Sequence, residues 1–488
     1  MFYVGIDLGT SETKCLVISE KGKILARTSV AVSCELRPGG VAELDPEIWW
    51  NSAREAVRTA LSGIARPSDR AAVAISSQGL SFVLLDEKDC PLGLAISTLD
   101  TRAGGEAEEL SKVISEDRLF NLTGKRANPY YLLPKLLWLQ RHRAGDLQKA
   151  KRFALAMDYV SGKLIGRAAP TDHALASGSA LHDIRELKWI DSLIELFRLD
   201  RGIFPAVAPA GLPVGDITPE AAEAFGLPQK TTVVTGSQDQ KCAAFAAGLQ
   251  QDISTVSLGT AAAVEFITPE PVLDAHKRLP CFPYVEAHSW LLEGVLPTAG
   301  GAVNWFMRIL SASQESVSRL EAEAREADWK ATPFFAPHLG GAGSPYWEPS
   351  AQGSFWGLSL ATRRGEMFRS VLEGICFEIQ ANVVTARQLG FSPKLFKVFG
   401  GGARNHFWLQ LMADVLKTPV CKLALTDAAA YGACLLAARG GAEQQPPLAE
   451  IECVFEPDAA TSAIVQERHE KYLHVQEKVF GAPTEIRN

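Results

Sequence analysis

The sequence predicts an α/β protein made of two related halves with a cleft between them. Residues 2–6 form a short apolar run of strand length, and the polar tip at residues 7–14 separates it from a second run at residues 15–18. The same arrangement returns at residues 253–266, where Gly259 and Thr260 lie between two apolar runs. Apolar runs of strand length also alternate with segments of helical periodicity, which is typical of α/β folds. The repeated strand–Gly-Thr–strand unit indicates an internal duplication.

The first half shows a β-β-β-α-β order. A helix start is predicted at Asp45 and Pro46, because Asp is a favoured N-cap residue and Pro is favoured at the first helical position. Apolar residues at helical spacing continue this helix to Leu61. The predicted strands of this half are residues 2–6, 15–18, 23–32, 71–76 and 82–85.

Composition limits the function classes. The chain has 488 residues, 47% of them apolar, and its formal charge of −7 argues against a general nucleic-acid or membrane binder. No run approaches the roughly twenty apolar residues of a membrane span. Nine scattered cysteines, without a Cys-x-x-Cys pair, are typical of reduced thiols. Together these features predict a cytoplasmic protein, and a homodimer is an open alternative to a monomer.

The N-terminal hairpin tip has two interpretations. Backbone N–H groups and the hydroxyls of Thr10 and Ser11, followed by Lys14, could cradle a phosphate. Asp7, at the strand end, could then hold a hydrated Mg²⁺ beside it. The alternative is an ordinary hairpin in which these residues only shape the turn. The second Gly-Thr hairpin favours the phosphate loop, because two facing hairpins could clamp one nucleotide from both sides.

Asp100 and Arg102 form a second candidate feature. On an extended segment, residues two apart face the same way. A carboxylate accepts hydrogen bonds from hydroxyls and a guanidinium donates them, so the pair could bind a polyol. The alternative is a surface ion pair.

Asp239 follows a β-branched strand at residues 231–235 and opens a small, apolar helix. A carboxylate at this position could accept the proton of a hydroxyl that attacks a phosphoryl group. A helix N-cap is the alternative role. Further along the chain, glycine-rich segments at residues 297–305, 353–374 and 398–405 would allow the backbone to approach a flat or anionic ligand closely.

Together these segments resemble the FGGY carbohydrate kinases, from Met1 to about Gly440. Residues 353–374 resemble the family's C-terminal signature, and residues 400–414 resemble its adenosine-contact segment. The resemblance implies two actin-like (ribonuclease H-like) ATPase domains, at residues 1–246 and 247–488, closing over a central cleft.

The resemblance also implies the roles of individual residues. Asp239 would be the catalytic base, with Asp7 and Asp239 near Mg²⁺. The sugar would contact Gln78, Gly79, Asp100 and Arg102. ATP would contact Thr10, Ser11, Lys14, Gly259, Thr260, Gly300, Asn304, Gly401, Gly402 and Asn405.

The chain departs from many pentulose kinases at Ser77-Gln78, where they have Met-His, at Thr98, where they often have Trp, and at Ser237-Gln238, where glycines are usual. The implied reaction is transfer of the γ-phosphate of ATP to a hydroxyl of a ketose, with a pentulose such as xylulose as first choice. Another polyol, a hexulose or a sugar acid is the alternative substrate. An actin-like ATPase switch without a small-molecule acceptor is the alternative from another class.

Overall fold

The computed structural model describes residues 1–64, 69–310, 315–441 and 445–480. Its strands, in chain order, are β1 (Phe2–Leu8), β2 (Glu12–Ser19), β3 (Ile24–Ala31), β4 (Glu35–Arg37), β5 (Val41–Leu44), β6 (Arg70–Ser77), β7 (Phe82–Leu85), β8 (Ala95–Ile96), β9 (Arg152–Leu155), β10 (Thr171–Asp172), β11 (Val207–Ala208), β12 (Pro213–Asp216), β13 (Lys230–Gln238), β14 (Ile253–Leu258), β15 (Ala262–Thr268), β16 (Cys281–Pro283), β17 (Trp290–Leu296), β18 (Phe334–Ala336), β19 (Ser354–Trp356), β20 (Leu395–Phe399), β21 (Val420–Leu423) and β22 (Ile451–Phe455).

The helices are α1 (Glu47–Ser62), α2 (Gly104–Val113), α3 (Glu116–Thr123), α4 (Leu132–His142), α5 (Ala144–Lys149), α6 (Ala156–Ile165), α7 (His173–Ser177), α8 (Asp191–Leu196), α9 (Pro219–Phe225), α10 (Asp239–Ala247), α11 (Gly300–Ile309), α12 (Glu315–Glu326), α13 (Arg364–Gln388), α14 (His406–Leu416), α15 (Ala428–Arg439) and α16 (Ala459–Phe480). Among the described residues, no helix combines the length and hydrophobicity that a membrane crossing requires.

The two halves share one sheet topology. In the first half, the strand order is β12-β13-β6-β1-β2-β3, with β1 antiparallel to β2 and parallel to β6. In the second half, the order is β16-β17-β15-β14-β20-β21-β22, with β14 antiparallel to β15 and parallel to β20. β14 and β15 therefore occupy the places that β1 and β2 occupy in the first half. The predicted duplication is confirmed.

The centre of each sheet is buried on both faces, which is the usual situation of parallel strands. Every residue of β1 is buried. α1 packs on one face of the first sheet, and α15 packs on β1 from the other face. α10 and α15, which follow equivalent strands of the two halves, pack against each other. This helix pair joins the halves behind the cleft.

Some local predictions need correction. α1 begins at Glu47 and not at Pro46, although the Asp45 carboxylate accepts a hydrogen bond from the Glu47 N–H at 2.9 Å. The first half also contains a second sheet, in the order β4-β5-β8-β7-β9, which the sequence did not predict. The nine cysteines are unpaired as predicted, and most of them are buried. Residues 481–488 of the predicted second domain lie outside the described residues.

Candidate active site

The sheet of the first half places Asp7, Ser76 and Ser237 side by side. β1, β6 and β13 are parallel, and the register pairs Asp7 with Ser76 and Ser76 with Ser237. The Ser76 hydroxyl donates a hydrogen bond to Asp7 Oδ1 at 2.9 Å. Asp239 follows β13 directly and is the first residue of α10. The carboxyl ends of these strands therefore bring the two predicted metal-site carboxylates to one edge of the sheet.

The electrostatics of this edge favour a cation. Burial raises the pKa of Asp7 to about 6, and Lys14 partly opposes this rise. Burial, and then the negative charge of Asp7, raise the pKa of Asp239 to about 7. A carboxylate whose pKa is raised by a neighbouring carboxylate gains from a shared positive charge. Mg²⁺ prefers oxygen ligands of this kind, so Asp7 and Asp239 fit the predicted metal.

Asp239 does not cap α10 in the usual way. The N-cap residue is Gln238, and Asp239 Oδ1 accepts a hydrogen bond from the N–H of the next residue, Gln240, at 2.7 Å. The carboxylate is only partly exposed. The arrangement therefore leaves a carboxylate with a pKa near neutrality beside the cleft, which is a property expected of a general base.

The first hairpin forms as predicted. The Gly9 N–H donates to the Glu12 carbonyl oxygen at 3.1 Å and closes the turn, with Thr10 partly exposed and Ser11 exposed at the tip. Lys14 forms an ion pair with Glu12 at 2.9 Å and lies 3.8 Å from Asp427. Lys14 is thus held by carboxylates at the base of the hairpin, where a phosphate would have to compete for it.

The second hairpin joins the predicted ATP residues of the second half. The Gly300 N–H donates to the Gly259 carbonyl oxygen at 2.9 Å, and the Ala299 N–H donates to the Thr260 carbonyl oxygen at 2.8 Å. A Cβ on Gly300 would lie 2.5 Å from the Gly259 oxygen, so only glycine allows this contact. Asn304 is exposed in the second turn of α11.

The three-glycine segment lies beside the same hairpin. Gly400 has a φ of +95°, and a Cβ there would lie 2.7 Å from the carbonyl oxygen of Leu258, the residue before Gly259. Gly401 and Gly402 form the following 3₁₀ turn. Asn405 Oδ1 accepts a hydrogen bond from the Trp408 N–H at 2.9 Å and so caps α14. The structure therefore groups the predicted ATP residues of the second half around the tip of β14.

A cavity of about 230 Å³ lies between the halves. Of the predicted sugar residues, Gly79 lines it, together with Thr98 and Gln238. Gln78 is buried beside Gly79, and its Oε1 has no hydrogen-bond partner among the described residues. Neither Asp100 nor Arg102 is among the described residues that line the cavity.

Asp100 and Arg102 bind each other, and the predicted geometry needs correction. The segment is not extended, since turns flank Asp100 on both sides. Asp100 is fully buried and accepts from Arg102 Nε at 2.9 Å, from Arg102 Nη2 at 2.6 Å and from the Ala42 N–H at 2.7 Å. Arg102 also pairs with Glu43 at 3.0 Å and stacks on Trp138. The pair is buried rather than a surface ion pair.

Sequence reasoning missed several residues of the cavity wall. Gln238 was noted only as a departure from the glycines usual before the catalytic aspartate, yet it lines the cavity. The other missed residues have no local signal, because loops and strands distant in sequence bring them together. They include Asn128, Tyr131, Phe282, Glu293 and Trp347.

The raised pKa values of Asp7 and Asp239 predict a pH dependence of stability. A carboxylate whose pKa is higher in the folded state binds its proton more tightly there, so it contributes stability at low pH that is lost as pH rises through the folded pKa. In the presence of a chelator, the contribution of these two groups to the free energy of unfolding should therefore fall between about pH 4 and about pH 7. Urea titration of the wild type and of Asp239→Asn measures this. The variant should show the smaller fall, and equal falls would contradict the prediction.

The fold and the site define a phosphotransferase: two related halves each carry a Gly-Thr hairpin, and a pair of carboxylates lies at the carboxyl ends of parallel strands of the first sheet. Residues 2–246 match the N-terminal domain of the FGGY family of carbohydrate kinases, and residues 254–441 match its C-terminal domain. The chain belongs to the FGGY family of carbohydrate kinases. It is a sugar kinase, and kinases of this family use ATP.

Named relatives and solved structures agree with this assignment. The chain is 30% identical to xylulose kinase of Escherichia coli (strain K12) over 417 residues, which are 85% of this chain and 84% of that protein. It is 25% identical to gluconokinase of Bacillus subtilis (strain 168) over 452 residues, 89% of this chain and 86% of that protein.

Among solved structures, that of a xyloylose kinase from Brucella ovis is similar, with a TM-score of 0.89 at 26% identity, covering 99% of this chain and 100% of that one. A gluconate kinase from Lactobacillus acidophilus has a TM-score of 0.90 at 23% identity, covering 98% of each chain. The predicted fold of two actin-like domains around a cleft is confirmed.

Proposed function

We propose that the chain transfers the γ-phosphoryl group of ATP to a hydroxyl of a ketopentose, with xylulose as first choice, and that it requires Mg²⁺. One observation carries the proposal: Asp239, with its pKa near neutrality, directly follows Gln238, which lines the cavity between the halves. The relatives named xylulose kinase support the choice of sugar. The cavity is lined mainly by apolar and neutral polar groups, as expected for a small neutral substrate.

In this proposal, each half has its own task. The half at residues 1–246 contributes most of the cavity wall that binds the sugar, and its Asp239 accepts the proton of the attacking hydroxyl. The half at residues 247–488 binds ATP where Gly259, Thr260 and Gly300 meet. Asp7 and Asp239 would hold Mg²⁺, which supplies positive charge to the phosphates. A cytoplasmic location and a homodimer stay predictions from the sequence.

A substrate panel tests the proposed function. ADP release from Mg-ATP is measured with ketopentoses, hexuloses, polyols and sugar acids, each against a reaction without acceptor. The proposal expects the largest stimulation by a ketopentose. Stimulation by another class alone would refute the choice of sugar, and ADP release that no acceptor stimulates would refute the sugar-kinase proposal.

Gly401→Ala should separate ATP binding from folding. No heavy atom other than those of its neighbours in the chain lies within 4 Å of a Cβ built on Gly401, and the residue is exposed, so the ligand-free protein has room for a methyl group. If the backbone here approaches the nucleotide, the added methyl group should raise the KM for ATP while the free energy of unfolding and the KM for the sugar stay unchanged.

Gly105→Ala is the matched control. A Cβ built on Gly105 also meets open space, and no ligand is proposed to bind there. It should leave both KM values unchanged. An unchanged KM for ATP in Gly401→Ala would remove Gly401 from the proposed ATP site.

A further inference from the structure

Glu293 places a carboxylate in the cavity wall from the half opposite Asp239. It lies on β17, and its side chain is 9% exposed. Among the described residues that line the cavity, Glu293 alone carries a formal charge at neutral pH, and none is Lys or Arg. Aromatic rings, including Phe282 and Trp347, form much of the remaining wall. The charge character of the wall therefore depends on this one carboxylate.

Lys241 holds Glu293 in place. It lies two residues after Asp239 in α10 and is fully buried. Its Nζ contacts Glu293 Oε2 and lies 3.6 Å from Glu265 Oε1. Glu265, on β15, also accepts a hydrogen bond from Thr255 at 2.9 Å and is not among the described residues lining the cavity. The ion pairs tie the helix that carries Asp239 to two strands of the opposite half.

Two buried ammonium groups accompany these carboxylates. Lys241 faces Glu293 and Glu265, and Lys125 interacts electrostatically with Glu293 and lies 3.6 Å from the ring centroid of Phe282. Neither lysine is among the described residues that line the cavity. Lys241 also lies 4.2 Å from the ring centroid of Phe282, and this ring lines the cavity. A substrate therefore meets the Glu293 carboxylate and the Phe282 ring, and it does not meet a free cation in the described wall.

We propose that Glu293 is a specificity-determining residue that accepts a hydrogen bond from a hydroxyl of a neutral sugar or polyol and disfavours sugar acids. The inference rests on the proposed function and narrows its substrate class. An ionised carboxylate is an acceptor only, so it matches a hydroxyl donor and forms a stronger hydrogen bond than a neutral group does. A substrate carboxylate would meet a like charge in a largely desolvated cavity, without the cationic donor that it needs.

The wild-type enzyme gives the first test. We compare kcat/KM for a ketopentose with that for the aldonic acid of the same carbon number, and calorimetry measures the binding of both. Since a like-charge contact is strongly unfavourable, the neutral sugar should be preferred by at least about 100-fold. Equal use or equal binding of the acid would overturn the inference, and this test does not depend on the folding of any variant.

Glu293→Gln gives the second test. The change keeps the size of the side chain and removes the charge, so the KM for the neutral sugar should rise about tenfold. The KM for ATP should stay constant, and kcat/KM for the sugar acid should rise at least about tenfold because the repulsion is gone.

Glu265→Gln is the matched control. It removes the charge of the other carboxylate near Lys241, and Glu265 is not among the described residues that line the cavity. Burial raises the pKa of the Glu265 carboxyl, so the assays are run at about pH 8 to favour its ionised form. The control should leave the KM for the sugar close to the wild-type value. Equal effects of the two substitutions would assign Glu293 a purely structural role and overturn the inference.

Two further outcomes separate this inference from the proposed function. If the wild type phosphorylates sugar acids best, Glu293 does not exclude them, and the inference fails while the sugar-kinase assignment stands. If no acceptor of either class stimulates ADP release, the proposed function fails and the inference fails with it.

Discussion

Asp239→Asn should reduce turnover by at least ~10²-fold while the protein stays folded and still binds ATP. The attacking hydroxyl has a high pKa, so it becomes a good nucleophile only as its proton leaves. Asp239 can take this proton because burial and Asp7 raise its pKa to about 7, near the pH at which a kinase operates. Asparagine keeps the size of the side chain and the hydrogen bond to the Gln240 N–H but cannot accept the proton. Single-turnover kinetics with saturating ATP and sugar measures the change.

Asp7→Asn is the control, because its proposed role is to hold the metal. Excess Mg²⁺ or Mn²⁺ should partly restore the activity of Asp7→Asn and should not restore that of Asp239→Asn. If Asp239→Asn kept near-normal turnover, Asp239 would not be the base. Asp100 is then a poor substitute, since it is fully buried and bound to Arg102.

The sequence predicted the features whose cause is local. The two Gly-Thr hairpins, the strand before Asp239 and the glycine-rich turn at Gly400 each depend on a few consecutive residues, and the structure shows all of them. The duplication was also visible, because the same local pattern occurs twice. The prediction of the residues grouped around the tip of β14 rested on these turns together with the resemblance to the FGGY kinases.

The cavity wall could not be predicted in the same way. Glu293 lies in the middle of a strand and reaches the cavity only because β17 pairs with β15 and faces α10. The Asp100–Arg102 pair was visible, but its surroundings were not. Sequence spacing could not show that Glu43, from β5, and Trp138, from α4, would enclose Arg102. The role of Asp100 and Arg102 as sugar contacts stays a prediction.

Arg102→Ala should lower the free energy of unfolding by about 3–5 kcal/mol, the range expected when one partner of a buried ion pair is removed. The substitution leaves the fully buried Asp100 without the guanidinium that binds it, whereas Glu43 keeps Arg37 and Arg143 as partners. Burial of an unpaired carboxylate is strongly unfavourable, because water no longer solvates it. Urea denaturation gives the change, and the KM for the sugar measured below the transition tests the predicted contact with substrate separately.

Arg201→Ala is the matched control in the same half of the chain. Arg201 pairs with Asp191 at 2.7 Å, but the two side chains are 52% and 80% exposed. Such surface pairs contribute about 0–1 kcal/mol, so the control should unfold almost as the wild type does. If both variants lost the same small amount, the Asp100–Arg102–Glu43 cluster would not stabilise the fold. If Arg102→Ala lost stability and the KM for the sugar stayed constant, Arg102 would be a structural residue and would leave the predicted sugar site.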